Sequence, residues 1–496
     1  MAASQTIEST RVLIPLVITL LSPFALWLFR KNINYREGVS FVAAALSFVS
    51  ILSMVPAVLH GSVWSYTLVT FFPGVSLRFA VDGLSLIFGL VATFLWFFAT
   101  SYNIGYMRTL KEHAQTRYYF CFALAIFGAV GVAFSGTIVT LYLFYEVITV
   151  CTYPLVAHHQ DEEGFQGARK YLVYLMGTSK LFLLPAMILT YVQCGTLDFN
   201  LTDITKGIFP ATANPTLVAI TYFLYLFGLA KAALMPVHNW LPSAMVAPTP
   251  VSALLHAVAV VKAGVFSVSR IMLSVFGVEL LSKLGLGLTT SYLAAFTIVV
   301  ASVIALTKDD LKARLAYSTV SQLSYIIIGI GMLTPMGVTG GLLHIAHHAF
   351  AKITLFFAAG AIYAATHLKK IPQMDGLGRK LPWTFGAFAI ASLSMIGMPP
   401  VSGFVTKWYL ANGAIGIHNN ILLVALLAST LLNAGYFVPV IYRAFFRPAA
   451  PGVDHSHFKE APLVMVVPLC LTAVISVTLG LFPQIFTSLV NAFGRF

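Results

Sequence analysis

The sequence has few charged residues, and acidic ones are the scarcer kind. Only 9% of its 496 residues are charged, with 16 Asp and Glu against 29 Lys and Arg, while 59% are hydrophobic. The mean hydropathy of +0.88 lies far above that of soluble globular proteins. This composition excludes an ordinary soluble domain and indicates a membrane protein.

Cysteine is also rare and lacks any metal-binding spacing. The four cysteines, Cys121, Cys151, Cys194 and Cys470, are scattered singly, without a CxxC pair, so we interpret them as packing residues. There is no GxGxxG after a strand and no Walker loop, and no extramembrane stretch is long enough for a nucleotide, flavin or iron–sulfur cluster. We expect no cofactor and no metal in this chain, and whether it belongs to an enzyme is left open.

What the sequence has in abundance is long apolar runs. A membrane-spanning helix needs about 20 predominantly apolar residues, and fourteen such runs can be placed. They cover residues 11–29, 39–60, 81–100, 118–133, 137–157, 170–192, 216–235, 251–275, 290–306, 316–332, 337–365, 383–412, 420–446 and 461–484. The first run is too long for a signal peptide and is kept as a span. The sequence therefore predicts an all-α polytopic membrane protein, residues 1–496, as one membrane domain in the lipid bilayer.

The excess of basic residues follows the membrane topology and gives no reason to expect nucleic-acid binding. By count, eighteen Lys and Arg residues follow odd-numbered spans, whereas five follow even-numbered spans or lie near the termini. Basic residues concentrate in cytoplasmic loops. We therefore predict a cytoplasmic (inner) membrane location with both termini outside the cytoplasm.

Proline interrupts two of the predicted spans. The breaks lie at 233–236 in span 7 and at 395–403 in span 12, with Lys231 and Lys407 close to them. Proline removes a backbone donor that hydrocarbon cannot replace, so such breaks persist only where they face protein or a water-filled cavity. Paired interrupted helices are typical of transporters with inverted repeats. The alternative is two simple kinks with snorkelling lysines.

Ionisable side chains inside spans are costly and usually functional. Glu146 lies near the middle of span 5 and needs a cationic partner, for which we predict Lys231. When the two are close, the carboxylate keeps the lysine protonated, and when they separate, desolvation makes the amine release its proton. The alternative is a static buried ion pair.

Span 11 carries a column of proton-transferring groups. His344, His348 and Lys352 follow one another at i, i+4 steps and share a helix face, which could relay protons over about 12 Å. The alternative is that these histidines only bond neighbouring helices. His347 points away from this face.

Four further side chains join the candidate relay. His256 and Lys262 in span 8 are six residues apart, so a joint role needs a helix break or a bridging water. Lys180 is a candidate lateral relay residue, and His238 lies in the break after span 7.

Several motifs resemble one family closely. They are residues 81–85 (Val-Asp-Gly-Leu-Ser), 144–146 (Phe-Tyr-Glu), 231–257 with Ala-Pro-Thr-Pro-Val-Ser-Ala-Leu-Leu-His at 247–256, 310–319 (Asp-Leu-Lys-Ala-Arg-Leu-Ala-Tyr-Ser-Thr), and 397–407 (Gly-Met-Pro-Pro-x-Ser-Gly-Phe-x-x-Lys). From about residue 80 to 450 the chain resembles the antiporter-like, proton-conducting subunits of respiratory complex I, membrane-bound hydrogenases and Mrp cation/proton antiporters.

This resemblance implies fourteen helices with two inverted five-helix repeats, spans 4–8 and 9–13, and broken helices 7 and 12. The corresponding divisions are residues 1–117 for spans 1–3, 118–275 and 290–446 for the repeats, and 461–484 for the last span. It also implies a role for each matching residue: Glu146, Lys231 and Lys262 as the charges of spans 5, 7 and 8, the span-11 face as the relay, and Lys407 as the charge at the span-12 break. The lysine at 407 resembles the Mrp D subunit, because the fourth subunit of mitochondrial-type complex I usually has glutamate there.

The sequence thus leads to one main hypothesis and two alternatives. The main hypothesis is a proton-translocating subunit of a larger complex, whose partners are antiporter-like paralogues and small hydrophobic subunits, with or without a peripheral redox arm. The ions would be H⁺, with Na⁺ or K⁺ as candidate counter-ions. The alternatives are a transporter of another ion, such as bicarbonate, and a structural subunit without conduction. Because the lysines inside spans outnumber their acids, either flanking subunits supply acids or several lysines are neutral.

Overall fold

The computed structural model describes residues 6–448 and 457–493, most of which are helical. The helices, in chain order, are α1 (Thr10–Leu28), α2 (Ile33–Leu59), α3 (Gly83–Thr109), α4 (Gln115–Ala133), α5 (Ile138–Val156), α6 (Glu162–Cys194), α7 (Pro215–Gly228), α8 (Thr249–Phe276), α9 (Leu286–Leu306), α10 (Leu311–Gly331), α11 (Pro335–Thr366), α12 (Pro382–Ile396), α13 (Ser402–Gly416), α14 (Asn420–Phe446), α15 (Leu463–Leu481) and α16 (Gln484–Phe493). Two short helices, Trp240–Ser243 and Val278–Lys283, lie between them. Residues 1–5, 449–456 and 494–496 of the predicted domain fall outside the described part.

Among the described residues, eleven helices are long and apolar enough to cross a membrane. Together with the high hydropathy, they confirm a helical, polytopic integral membrane protein. The count of fourteen spans and the boundaries of the two repeats stay predictions. Helix α10 is long enough to span but more polar than the others, and it begins at Leu311, five residues before the predicted start. Asp310 caps it by accepting a hydrogen bond from the Ala313 N–H at 2.8 Å.

A small sheet adds to the helices, which the sequence analysis did not predict. It consists of β1 (Thr6–Glu8), β2 (Val63–Phe72) and β3 (Val75–Val81) in the order β1-β2-β3, with β1 parallel and β3 antiparallel to β2. Hydropathy windows of about 20 residues overlook short strands. The available signal was the β-branched and aromatic run of residues 63–72, followed by a Pro-Gly turn.

The first and last described elements lie at the same end of the bundle. Strand β3 leads directly into α3, and the first residue of α3, Gly83, lies against Leu489 and Phe493 of α16. A Cβ at Gly83 would come within 2.1 Å of the Leu489 carbonyl oxygen. The glycine therefore permits this close contact.

Three helices form the centre of the bundle. In each long helix we consider the 18-residue stretch that is most apolar. All residues of this stretch are buried in α8 and 83% are buried in both α3 and α11, whereas no more than 39% are buried in α1, α2 and α14. The outer helices expose large apolar side chains such as Leu21, Trp27 and Leu431, as expected of a surface in contact with lipid. The central helices therefore provide the environment for buried polar chemistry.

The break in span 7 begins earlier than predicted. Helix α7 ends at Gly228, and Lys231 lies in a 3₁₀ turn, Ala230–Ala232, so the predicted span 216–235 is not one continuous helix. Backbone groups that lose their helical hydrogen bonds here find partners within the protein: the Ala230 carbonyl accepts a hydrogen bond from Trp240 Nε1 at 2.9 Å. The proline at 236 marked the region, but the helix had already ended upstream of it.

The break in span 12 lies where it was predicted. Helix α12 ends at Ile396 and α13 starts at Ser402, so the predicted span 383–412 consists of two helices. Gly397 has a φ of +89°, a conformation that favours glycine. Both broken regions open the backbone next to a lysine, Lys231 and Lys407.

Candidate functional site

Lys231 lies at the break after α7, held against α5. Its Nζ donates to the Tyr145 carbonyl oxygen and to the Thr149 hydroxyl, both at 2.7 Å, and its side chain is fully buried. The amine also lies 3.2 Å from the centroid of the Tyr145 ring, a cation–π geometry. A glycine of α8, Gly264, makes room for this turn, since a Cβ there would lie 2.3 Å from backbone atoms of residues 231 and 232.

The predicted pairing of Glu146 with Lys231 is wrong in this structure. Glu146 Oε2 lies 3.2 Å from Lys180 Nζ instead, and the same amine donates to the Tyr142 hydroxyl at 2.6 Å. The reason is the helical period: Tyr142 and Glu146 share one face of α5, whereas Tyr145 and Thr149, which hold Lys231, share the next. Glu146 therefore lies on the neighbouring face to the residues that bind Lys231.

Lys180 lies at the outer edge of this network. It belongs to a π-helical segment, Ser179–Leu183, inside α6, and 45% of its side chain is exposed. π-Helical turns are frequent at functional sites. A half-exposed lysine at this depth of an apolar helix faces either lipid or a neighbouring protein.

Lys262 and His348 connect two of the central helices. Lys262 Nζ of α8 and His348 Nδ1 of α11 are 2.6 Å apart, and both side chains are fully buried. The lysine lies in the first predicted repeat and the histidine in the second. A proton held on one of these groups is within direct transfer distance of the other.

The predicted column on α11 continues from this contact. The rings of His344 and His348 have centroids 5.7 Å apart. His344 Nδ1 lies 2.9 Å from the Thr406 hydroxyl and its Nε2 lies 3.0 Å from Gln322 Oε1. The imidazole is thus bonded to α10 on one side and to α13 on the other.

Lys352 ends the column and leads to the second break. Its Nζ donates to the Ser318 hydroxyl at 3.0 Å and to the Leu315 carbonyl at 3.2 Å. The Tyr436 hydroxyl lies 3.1 Å from the Ser318 hydroxyl and is also within hydrogen-bond distance of Asn433 Oδ1, to which it donates its single proton, so that Ser318 donates to Tyr436. The Asn433 amide then donates to the Met395 carbonyl at 3.2 Å, within the last turn of α12.

Lys407 lies at this second break. Its Nζ donates to the Ile396 carbonyl at 2.8 Å and to the Thr430 hydroxyl at 3.2 Å. The Ile396 carbonyl is freed because α12 ends there. Lys407 therefore donates a hydrogen bond to a backbone carbonyl at the end of α12, as Trp240 does to the Ala230 carbonyl in the turn after α7.

The two remaining candidates do not join the chain of contacts directly. His256 lies in a π-helical segment, Leu254–Val258, fully buried, and neither ring nitrogen has a hydrogen-bond partner among the described residues. Its ring packs 4.7 Å from Phe356. His238 is partly exposed, with Nδ1 3.3 Å from the Pro236 carbonyl.

His347 provides a test of which face of α11 matters. Its Nδ1 lies 3.0 Å from the Ser402 carbonyl, away from Lys262. On the prediction that the His344, His348 and Lys352 face relays protons, we expect His348→Gln to lower proton transport by several-fold to about 100-fold, and the neighbouring His347→Gln to leave it unchanged. Transport rates of both variants in vesicles check this. Equal losses in both would mean that the histidines only support packing.

A buried ion pair at one end of the bundle was not predicted from the sequence. Arg270 of α8 donates from Nη1 to Asp82 Oδ2 at 2.6 Å and from Nη2 to Asp82 Oδ1 at 2.8 Å, with both residues almost fully buried. Asp82 also caps α3 by accepting from the Ser85 N–H at 2.9 Å. The available signal was an arginine inside a span together with an aspartate in the 81–85 motif.

A second cluster, outside the membrane-spanning helices, was also missed. It contains Glu112 and His113 after α3 and His158 and His159 after α5, and the first three bring ligand atoms within 4.8 Å of one another. Burial raises the pKa of the Glu112 carboxyl, but the neighbouring imidazoles lower it more, so the net pKa is below its usual value. Burial lowers the pKa of His159. These are residues that could hold a metal ion, and their signal was the His-His pair of residues 158–159 followed by acids.

A family model described as NADH:quinone oxidoreductase/Mrp antiporter, transmembrane, matches residues 135–433. This chain therefore belongs to that family of membrane subunits. It is 30% identical to NADH-quinone oxidoreductase subunit N of Desulforudis audaxviator, over 95% of each chain. It is also 30% identical to subunit L of Campylobacter jejuni, over 93% of this chain and 76% of that protein. Na(+)/H(+) antiporter subunit A1 of Staphylococcus haemolyticus is 29% identical, and the match spans 96% of this chain but 61% of that longer protein.

Solved structures share the fold. A chain of the Mrp complex from Dietzia sp. DQ12-45-1b superposes with a TM-score of 0.83 at 21% identity, covering 96% of both chains. A chain of the membrane-bound sulfane sulfur reductase, an archaeal respiratory membrane complex, gives 0.86 at 24% identity, covering 98% of this chain and 97% of that one. At these identities the likeness concerns the fold, and it extends over nearly the whole chain.

Proposed function

We propose that this chain translocates protons across a membrane as one subunit of a larger complex. The observation that carries the proposal is a line of buried ionisable groups through the centre of the bundle, joined at its middle by the 2.6 Å contact between Lys262 and His348. Burying so many cationic side chains is costly. A subunit with only a structural role would gain nothing from that cost.

The proposed path passes along the candidate groups and enters the α11 column at its middle member, His348. Protons pass between Lys180 with Glu146, Lys231, Lys262, the His348 and His344 face, Lys352 and Lys407. From Lys352, the hydroxyls of Ser318 and Tyr436 and the amide of Asn433 lead to the last turn of α12, where Lys407 binds the Ile396 carbonyl. His256 and His238 are held as secondary members, since each lies beside the path in a broken or π-helical segment.

The chemistry of the axis supports protons over other ions. Na⁺ and K⁺ prefer oxygen ligands and are repelled by lysine ammonium groups, so a cation counter-ion would need another route in the complex. Bicarbonate would be attracted by lysines, but the direct contact of Lys262 with His348 leaves no room for a solvated anion between them.

The finer architecture is part of the proposal. We take the chain to have fourteen crossings in two inverted repeats, α4–α8 and α9–α14, each with one broken helix. The two breaks, after α7 and after α12, each with an adjacent lysine, support this arrangement. Strand β1 and helix α16 lie at the same end of the bundle, which supports an even number of membrane crossings. The distribution of basic residues among the loops favours termini outside the cytoplasm.

Partner subunits are proposed to supply both the driving force and neighbours for exposed charges. The similar proteins named above are subunits of multisubunit membrane complexes. Lys180, with 45% of its side chain exposed, lies where a neighbouring membrane subunit would cover it. Redox chemistry, if the complex performs it, would belong to other chains.

Proton transport by variants of the assembled complex tests the proposal. We expect Lys231→Ala and Glu146→Gln each to lower the rate by about tenfold or more, because each removes a proton-carrying group. The rate is measured in inverted membrane vesicles with a pH-sensitive dye. Controls are Lys283→Ala and Glu279→Gln, exposed residues of the short helix Val278–Lys283. Full transport by both axis variants, with normal assembly, would refute proton conduction by this chain.

A further inference from the structure

Three histidines and one carboxylate converge at two turns that the transport path does not use. Glu112 and His113 lie in the turn between α3 and α4, and His158 and His159 lie in the turn between α5 and α6. Both turns follow odd-numbered spans, so both lie on the same side of the membrane. This group is called the His-Glu cluster below.

The four side chains already lie close to ligand geometry. Glu112 Oε2 lies 3.6 Å from His158 Nε2 and 3.8 Å from His159 Nδ1. The rings of His113 and His158 have centroids 4.8 Å apart. One ligand atom each from Glu112, His113 and His158 falls within 4.8 Å of the others. Ligands bound to one metal at about 2.0–2.2 Å lie at most about 4.4 Å apart, so small side-chain rotations complete the site.

His158 is an independent sign that something is bound. Its side chain is fully buried, Nδ1 has no hydrogen-bond partner among the described residues, and Nε2 faces only Glu112 Oε2 at 3.6 Å, beyond ordinary hydrogen-bond distance. Buried polar atoms are nearly always partnered, by protein, water or a ligand. A hydrogen bond from Arg117 Nη2 to the His158 carbonyl at 2.9 Å holds the backbone of this turn, and the ring itself faces Glu112.

We propose that Glu112, His113 and His158 bind a divalent transition-metal ion of the Zn²⁺ type, with His159 or a water molecule as the fourth ligand. Imidazole nitrogen with one carboxylate is a typical ligand set for zinc. Mg²⁺ and Ca²⁺ need several oxygen ligands, whereas three of these four groups are imidazoles.

The position of the His-Glu cluster suggests what the ion does. Glu112 and His159 line a cavity of about 420 Å³, together with Lys312 and residues 242–243 and 245–249, which follow the span-7 break. A metal ion here would tie the α3–α4 turn to the α5–α6 turn at the rim of this cavity. It would also place positive charge at the rim.

Metal binding to the full chain, purified in detergent and stripped with a chelator, tests the proposal without any transport measurement. We expect Zn²⁺ to bind at one site by calorimetry, and Co²⁺, used as a probe, to give the visible absorption of a four-coordinate site. His158→Ala and His113→Ala should each weaken binding by about 100-fold or more, since even outer-shell changes cost 10–100-fold. His113 is exposed, so its variant keeps the test valid if His158→Ala fails to fold.

The matched control is His60→Ala, which removes an exposed histidine at the end of α2. It should bind Zn²⁺ like the unmodified chain. The proposal is overturned if the unmodified chain binds no Zn²⁺, if His113→Ala binds it with unchanged affinity, or if His60→Ala loses binding as strongly as the cluster variants do. Because binding is read directly, none of these outcomes depends on whether the chain conducts protons.

Discussion

Lys262→Met is expected to reduce proton transport by about 100-fold or more, the range typical for loss of an acid–base group. Methionine has nearly the length of lysine and suits a fully buried position, but it cannot carry a proton. Lys262 Nζ contacts His348 Nδ1 at 2.6 Å, and this contact joins the two predicted repeats. Removing the amine breaks the contact through which the proposed path passes from α8 to α11.

The measurement is proton flux in vesicles containing the assembled complex, normalised to the amount of this subunit. Lys283→Met is the matched control, because it makes the same substitution at an exposed position. We expect the control to keep the full rate. If Lys262→Met transports at more than about half the control rate, protons do not cross at this contact and the proposed path is wrong.

Asp82→Asn is expected to destabilise the protein by about 3–5 kcal/mol, the usual cost of leaving one member of a buried ion pair without its partner. Asparagine keeps the oxygen that caps α3 at the Ser85 N–H, so the substitution isolates the charge. Arg270, completely buried, would lose its counter-charge, and the Oδ2 that accepts from its Nη1 would be replaced by an amide NH₂ group that cannot accept. The apparent Tm of the detergent-purified protein should fall accordingly.

Two comparisons separate charge from packing. The double variant Asp82→Asn with Arg270→Met removes both charges, and we expect it to regain most of the lost stability. Asp198→Asn breaks the more exposed pair with Arg78, whose closest atoms are 3.8 Å apart, and should cost no more than about 1 kcal/mol. A Tm unchanged by Asp82→Asn would mean that the Asp82–Arg270 pair contributes no stability.

Residue spacing along the chain predicted part of the candidate site. The i, i+4 spacing of His344, His348 and Lys352 defines a face from the sequence alone, because helical period is a local property. The choice of Lys231 as the partner of Glu146 was wrong for a related reason. Spacing says which residues share a face within one helix, but not which face of α5 meets α6 and which meets the turn after α7.

The same limit explains the residues that were missed. Ser318, Tyr436 and Asn433 are common polar residues, and they become a connection only because α10 and α14 pack beside Lys352. The His-Glu cluster combines residues about 45 positions apart in two turns. The pair at 158–159 was visible, but nothing in the sequence placed Glu112 beside it.

The sequence by itself determined the membrane class, the apolar helices, the two broken regions and the identity of the costly buried charges. These follow from composition, run length and helical period, which depend on near neighbours in the chain and on the solvent that surrounds it. Only the tertiary structure decided the pairing of Glu146 with Lys180, the contact of Lys262 with His348 and the Asp82–Arg270 pair. Each joins residues far apart in the chain, and their distance depends on how whole helices pack, which no local pattern specifies.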